Sequence, residues 1–136
     1  MANTTFSGPV RSQNGFEQIT KNTSTGAITT DAIYNATIRG GVQTLSGAGA
    51  VNLTDLITEL TTGAGAAAVT LADGSTSGQI KIINHIVDGG GTATVTPTTF
   101  ANGTTIAFDA VGESVTLVWN STVGWVASSV NGATVS

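Results

Sequence analysis

The sequence predicts an all-β protein, a small antiparallel β-sandwich or barrel with an extended N-terminal arm. Its composition favours strands and turns: threonine and valine suit strands, the 18 glycines and the asparagines suit turns, and residues of high helix propensity are few. Only 9% of the 136 residues are charged, against roughly 25% in an average soluble domain. From residue 40 onward, strand-like segments recur about every 8–12 residues with glycine between them, as in sandwiches and barrels.

The charges divide the chain into two regions. Residues 1–40 hold three of the four basic residues and two of the eight acidic ones, a net charge of +1. Residues 41–136 hold one lysine and six acidic residues, a net charge of −5. The apolar residues of the first region show no sustained period, so we expect an arm over 1–40 that becomes ordered on a neighbour. A first hairpin of the same domain is the alternative.

The second region, 41–136, is predicted to be a β-rich oligomerising domain. Asp73-Gly74 and Asn102-Gly103 are turn signals, as is the triple glycine at 89–91. Pro97 marks a strand end, because proline has no backbone N–H to donate to a ladder. The predicted strands cover residues 42–45, 66–72, 79–87, 92–96, 104–108, 114–119 and 124–130.

The strand at 79–87, QIKIINHIV, has apolar residues on both faces. One face carries Ile80, Ile82, Asn84 and Ile86, and the other carries Lys81, Ile83, His85 and Val87. This imperfect alternation is typical of a strand that is covered on two sides.

The segment 52–60, NLTDLITEL, fits two structures. Leu53, Leu56, Ile57 and Leu60 are spaced as on a helix, whereas Leu56, Thr58 and Leu60 alternate as in a strand. The flanking threonines and glycines favour a strand, and a helix remains the alternative.

The low charge content also indicates association. With a mean hydropathy of +0.24, a monomer would expose large neutral and partly apolar surfaces, which usually mark interfaces. We therefore expect a homo-oligomer or a component of a larger assembly.

The residues needed for catalysis or metal binding are scarce. The chain has no cysteine, and its single histidine, His85, lies inside an Ile/Val strand, where a packed or interface histidine is expected. Asp73, Asp88 and Asp109 lie at strand ends, where aspartates accept hydrogen bonds from turns. We expect no catalytic residue, no metal and no cofactor. Asp109 with Glu113, as a glycosidase pair, is the enzymatic alternative.

Two classes of partner are also disfavoured. A chain with a net charge of −4 and a pI near 4.5 repels phosphate, so we expect no nucleic acid. No apolar run approaches the ~20 residues that cross a bilayer, so we expect no membrane.

Both tryptophans lie in one predicted hairpin, SVTLVWNSTVGWVASS, at 114–129. Trp119 shares a strand face with Val115 and Leu117, and Trp125 follows the turn. They are expected to close one end of the core, since the chain has few other large residues; an exposed platform for a sugar ring is the alternative.

A resemblance extends over most of the chain. Residues 68–129 contain TLADG, GQIKI, DGGGTATVTP, GTTIAF and GESVTLVW followed by a second tryptophan, and the chain begins MANTTFSGPVRSQNGF. These stretches resemble small virion proteins of tailed bacteriophages, notably aquatic ones.

The resemblance implies a non-enzymatic capsid decoration or cement protein at the capsid surface of the virion. It implies a homo-oligomer, with a trimer favoured, whose partner is the major capsid protein and whose arm clamps onto the capsid lattice. Arm contacts are then expected at Phe6 and Phe16 as apolar anchors and at Arg11, Lys21 and Arg39 as cations. The alternative is a tail-fibre or receptor-binding β-module that recognises cell-surface glycan through Trp119 or Trp125.

Overall fold

A computed structural model describes residues 16–34 and 38–136. These residues contain strands and turns and no helix, which confirms the all-β prediction. The chain divides into two compact units, Met1–Gly40 and Gly41–Ser136. This division falls at the boundary where the charge changes sign.

The first unit contains a three-stranded antiparallel sheet in the order β1-β2-β3. Its strands are β1 (Phe16–Lys21), β2 (Ile28–Tyr34) and β3 (Ile38–Arg39). Asn22 shapes the β1–β2 turn, because its side-chain Oδ1 accepts the N–H groups of Ser24 and Thr25, both at 2.9 Å. The predicted arm therefore has regular pairing in its described part, although its sequence shows no sustained period.

The second unit consists of two five-stranded sheets. The first, called here the β8 sheet, has the order β12-β11-β8-β6-β4, and the second, the β9 sheet, has the order β13-β10-β9-β7-β5. The strands are β4 (Val42–Ser46), β5 (Gly49–Val51), β6 (Ile57–Thr61), β7 (Ala67–Leu71), β8 (Ile80–Val87), β9 (Ala93–Pro97), β10 (Ile106–Phe108), β11 (Ser114–Asn120), β12 (Gly124–Asn131) and β13 (Thr134–Val135).

Both sheets are mixed, whereas the sequence predicted antiparallel pairing. From β4 to β9 the chain alternates between the sheets, and each of the strands β4 to β7 pairs in parallel with the strand two positions later. Every second strand points the same way because the strand between them, in the other sheet, is the crossover that parallel pairing requires. The remaining pairs, β8–β11, β11–β12, β9–β10 and β10–β13, are antiparallel. The sheets do not close into a barrel.

The segment 52–60 is a turn followed by β6, so the expected strand covers only its second part. Asn52 and Asp55 exchange hydrogen bonds: Asn52 Nδ2 donates to Asp55 Oδ2 at 2.6 Å, and the Asp55 N–H donates to Asn52 Oδ1 at 2.9 Å. The second of these bonds is the one that an N-cap residue makes at a helix start, but the Ile57 N–H donates to the Gly41 carbonyl oxygen and a strand follows. The strand contacts prevail over the helical spacing of the leucines.

The core lies between the two sheets and receives side chains from both. Its buried apolar residues are Val51, Leu60, Ala67, Val69, Leu71, Ile83, Ala93, Val95, Ile106, Phe108, Val115, Leu117, Trp119, Trp125 and Ala133. Over most of β6, β8 and β11, buried residues alternate with less buried ones, and the less buried residues form an outer face. On β12 this face includes Val126, which pairs with Val118 of β11.

Candidate interaction surface

The two tryptophans pack against each other in the core. Trp119 and Trp125 are opposite residues of the β11–β12 hairpin, with ring centroids 5.4 Å apart and ring planes at 61°. Trp125 is fully buried and Trp119 is only 8% exposed. The Trp125 Nε1–H donates to the Ala72 carbonyl oxygen at 2.9 Å, which satisfies its one polar group. Neither ring offers a surface on which a sugar would stack.

His85 is a buried residue within a polar cluster. Its Nδ1 lies 3.0 Å from the Ala110 carbonyl oxygen, which can only accept, so Nδ1 carries a proton. Its Nε2 lies 3.2 Å from Thr62 Oγ1, and that hydroxyl lies 3.3 Å from Asp88 Oδ1 and accepts the Gly89 N–H at 3.2 Å. The cluster ties the ends of β6 and β8 to the turn after β10. At 1% exposure His85 is a packed residue, as expected.

The acidic residues at the strand ends accept hydrogen bonds. Asp88 Oδ1 accepts the Gly90 N–H at 2.7 Å, and Asp73 Oδ2 accepts the Thr99 hydroxyl at 3.1 Å. In the turn after β10, Glu113 takes the role expected of Asp109: its Oε2 accepts the Asp109 N–H at 2.6 Å. Over residues 16–34 and 38–136, no three acidic or histidine side chains come together as metal ligands would.

Lys81 is the charged residue of the core. It projects from β8 between the sheets, is 1% exposed, and its Nζ donates to the Asp55 carbonyl oxygen at 2.7 Å. Burial lowers the pKa of the Lys81 ammonium from 10.5 to about 8, and the nearby Asp55 carboxylate opposes part of that change. Its position inside the fold leaves it no route to an external partner.

The outer face of the β8 sheet carries an apolar patch. Val42, Ile57 and Ile82 are neighbours across the three parallel strands β4, β6 and β8. Val118 lies opposite Ile80 on β8 and opposite Val126 on β12. The two rows join on β8, where Ile80 and Ile82 are two residues apart and so point the same way. We call these six residues the outer patch: Val42, Ile57, Ile80, Ile82, Val118 and Val126.

The outer patch is open to solvent at two of its residues and half-buried at the others. Val42 is 51% exposed and Ile80 is 47% exposed. The four remaining members are of intermediate exposure. The strand predicted to be covered on both faces thus has its buried face at Lys81, Ile83 and His85, and its isoleucine-rich face points outward.

A polar row borders the outer patch. It crosses all five strands of the β8 sheet as Thr44, Glu59, Asn84, Ser114 and Asn131. Glu59 is the one ionisable residue among the outward positions of these strands. An apolar surface rimmed by polar groups is typical of an interaction site.

The outer face of the β9 sheet has a different chemistry. Its outward positions are occupied only by alanine and threonine: Ala50, Ala68, Thr70, Thr94, Thr96, Ala107 and Thr134. These side chains are small, so this face offers less apolar area than the outer patch. The two faces of the same unit are therefore not equivalent.

The predicted arm contacts belong to the first unit. Phe6 and Arg11 lie outside the described residues. Phe16 and Lys21 are the end residues of β1, and Arg39 ends β3, where it pairs with Ile33. The backbone thus places these three residues at strand ends of one small sheet.

Sequence reasoning did not name the outer patch, although it contained the signal. The alternation at 79–87 gave the isoleucines of β8 a shared face, but the parallel neighbours Val42 and Ile57 follow only from the mixed topology. Comparison with protein-family models finds no match, and comparison with curated proteins finds none either. No helix in the described part of the chain is long and apolar enough to span a membrane.

Proposed function

We propose that this chain is a non-enzymatic structural protein of a phage virion, which decorates or cements the capsid as a homotrimer. The motifs between residues 68 and 129 support the virion assignment through their resemblance to small phage virion proteins. The outer patch supports association between copies. The major capsid protein is the proposed partner of the first unit.

One observation carries the proposal: the β8 sheet of the second unit has an apolar outer face on an otherwise acidic body. Such a face favours contact with protein over contact with water. The acidic strand-end residues Asp73, Asp88 and Glu113 are engaged in hydrogen bonds within the fold. The unit is thus suited to building an assembly.

Electron cryo-microscopy of the virion tests the proposal directly. We expect density for the second unit outside the capsid shell, in groups of three around a local symmetry axis, with residues 1–40 on the lattice. A virion whose capsid surface carries no copy of the chain would overturn it. Copies found only at the tail would instead favour the receptor-binding alternative.

That alternative, a glycan-recognising tail-fibre module, relies on an exposed ring at Trp119 or Trp125. Both tryptophans are buried, which favours the capsid proposal. We expect acrylamide to quench tryptophan fluorescence weakly in the native protein and strongly in denaturant. A native quenching constant close to that of free tryptophan, lowered by an added oligosaccharide, would support the alternative.

A further inference from the structure

We infer that copies of this chain contact one another through the outer patch on the β8 sheet. The inference rests on the proposed homo-oligomer and goes beyond it by assigning the surface. The occupant of the patch is a second copy of the same chain, seated on the isoleucines of β8.

Continuity of the apolar surface is the first argument. Three members of the patch lie in one row across β4, β6 and β8, and three lie in the next row across β8, β11 and β12. All five strands contribute at least one member, so the apolar surface crosses the sheet from one edge to the other. In the proposed trimer the three β8 sheets face the common axis, so each outer patch packs against the outer patches of the other two copies.

Charge selects a second copy as the occupant. Residues 41–136 carry a net charge of −5, so two copies repel wherever their acidic residues approach. The outward positions of the β8 sheet hold one acid, Glu59, and those of the β9 sheet hold none, so copies meet with least repulsion on a sheet face. Of these two faces, the β8 face offers the larger apolar area to a second copy. A basic partner would instead be attracted to the strand ends and turns, where Asp73, Asp88 and Asp109 lie.

The size of the face sets the expected affinity. Five strands about 4.8 Å apart and about 17 Å long present a flat area of roughly 400 Å² per copy. A standard stable interface buries about 800 Å² of accessible surface per partner, so a face of this size favours weak association, with an expected dissociation constant in the micromolar range or above. Oligomerisation is therefore expected to depend on protein concentration.

Substitution of Ile80 by aspartate in the full-length chain tests the inference. Ile80 is 47% exposed in the monomer, so Ile80→Asp leaves the new carboxylate in water unless a second copy covers it. Val42→Asp is the second variant, on edge strand β4, at a residue that is 51% exposed. The matched control is Thr96→Asp, an exposed outward position on β9, the central strand of the other sheet.

The mass of each protein is measured by size-exclusion chromatography with light scattering, between about 1 and 300 µM, a range that brackets micromolar affinity. We expect the wild type and Thr96→Asp to associate with similar dissociation constants. The dissociation constants of both patch variants are expected to be roughly tenfold higher or more. Circular dichroism checks that each variant is folded.

A substitution at Glu59 is expected to strengthen the association between copies instead of weakening it. If copies meet on this face, their Glu59 carboxylates add like charge to one interface. Glu59→Gln is expected to lower the dissociation constant roughly two- to five-fold, and the gain is expected to shrink as salt is added.

Any of three results would overturn the inference. The first is a wild type that is monomeric over the whole concentration range, and the second is that folded Ile80→Asp and Val42→Asp associate as the wild type does. The third is that Thr96→Asp dissociates while the patch variants do not, which would assign the contact to the β9 sheet. The test separates this inference from the proposed function, because virion attachment is a different readout. If the wild type attaches to virions and the patch variants still associate, only the inferred interface is contradicted. If association depends on the patch but the wild type does not attach, only the proposed capsid role is contradicted.

Discussion

The buried Lys81 shows how one residue shapes the interior of the second unit. Its ammonium group is surrounded by the core and donates to the Asp55 carbonyl oxygen, in the turn before β6. The same turn is held by Asn52, and Asn52 in turn donates its N–H to Gln43 Oε1 on β4 at 2.9 Å. Thr58 on β6 donates to that same Gln43 oxygen at 3.0 Å. These polar residues therefore hold the turn at 52–55, beside the apolar contact that Leu53 makes with the core.

The lowered pKa of Lys81 predicts a dependence of stability on pH. Its pKa is about 8 in the folded protein and 10.5 ordinarily, so between these values the unfolded chain binds a proton that the folded chain lacks. The free energy of unfolding should therefore rise with pH from 8 to 10.5, by at most about 1.4 kcal/mol per unit from this group. Below pH 8 both states are protonated, and Lys81 contributes no slope.

Urea titrations at several pH values between 7 and 10.5 measure this slope. Lys81→Met should remove it, because methionine fills much of the same volume without a titrating group. Lys21→Met, at the chain's other lysine, controls for the loss of one positive charge. Equal slopes in the wild type and in Lys81→Met would show that Lys81 keeps its ordinary pKa.

Among the elements of the fold, the glycine-rich loops allow the parallel strands to be connected closely. The loop after β6 and the loop after β8 lie on each other: a Cβ on Gly91 would meet the carbonyl oxygens of Gly63 and Gly65. Gly74, in the loop after β7, is also closely covered, since a Cβ there would meet the Trp119 side chain. Glycine at position 91 lets the two loops come into backbone contact, and glycine at position 74 leaves room for the Trp119 side chain.

Gly91→Ala should therefore destabilise the fold, by roughly 1–3 kcal/mol, the usual cost of adding a methyl group where no space exists. The matched control is Gly65→Ala, in the loop it contacts. That position has open space and no positive φ, so it should change stability by less than about 1 kcal/mol. Guanidinium unfolding midpoints at one protein concentration compare the two. Equal midpoints would mean that the loops do not lie against each other.

The sequence predicted most strands but not how they pair. The predicted strands at 66–72, 79–87, 92–96 and 114–119 correspond to β7, β8, β9 and β11, because alternation and turn residues act locally. The short strands β5 and β13 were missed, since two or three residues are too few to show a period. Parallel pairing was missed because it joins residues across a crossover, and no local pattern records it.

In the molecule as a whole, the difference between local patterns and long-range pairing also explains how much of the candidate surface the sequence could predict. The expectation of association came from composition, and the outer patch is a surface that could carry this association. The surface itself depends on Val42 and Ile57 lying beside Ile82, which is a property of the mixed sheet. The arm contacts at Phe6, Arg11, Phe16, Lys21 and Arg39 stay predictions.

The division of the chain predicts separate effects of removing each part. Among the side chains that the structure describes, the buried core lies between Val51 and Ala133, so a chain that lacks residues 1–40 should keep its strand signal in circular dichroism and its tryptophan emission. It should also still associate through the outer patch, but it should no longer attach to virions. Ile80→Asp, which keeps residues 1–40, should instead attach as single copies, with weaker apparent affinity because joined copies raise the effective concentration of one another's arms. Co-sedimentation with virions measures both. A truncated chain that unfolds would place residues 1–40 within the fold, and one that still attaches would move the capsid contact to the second unit.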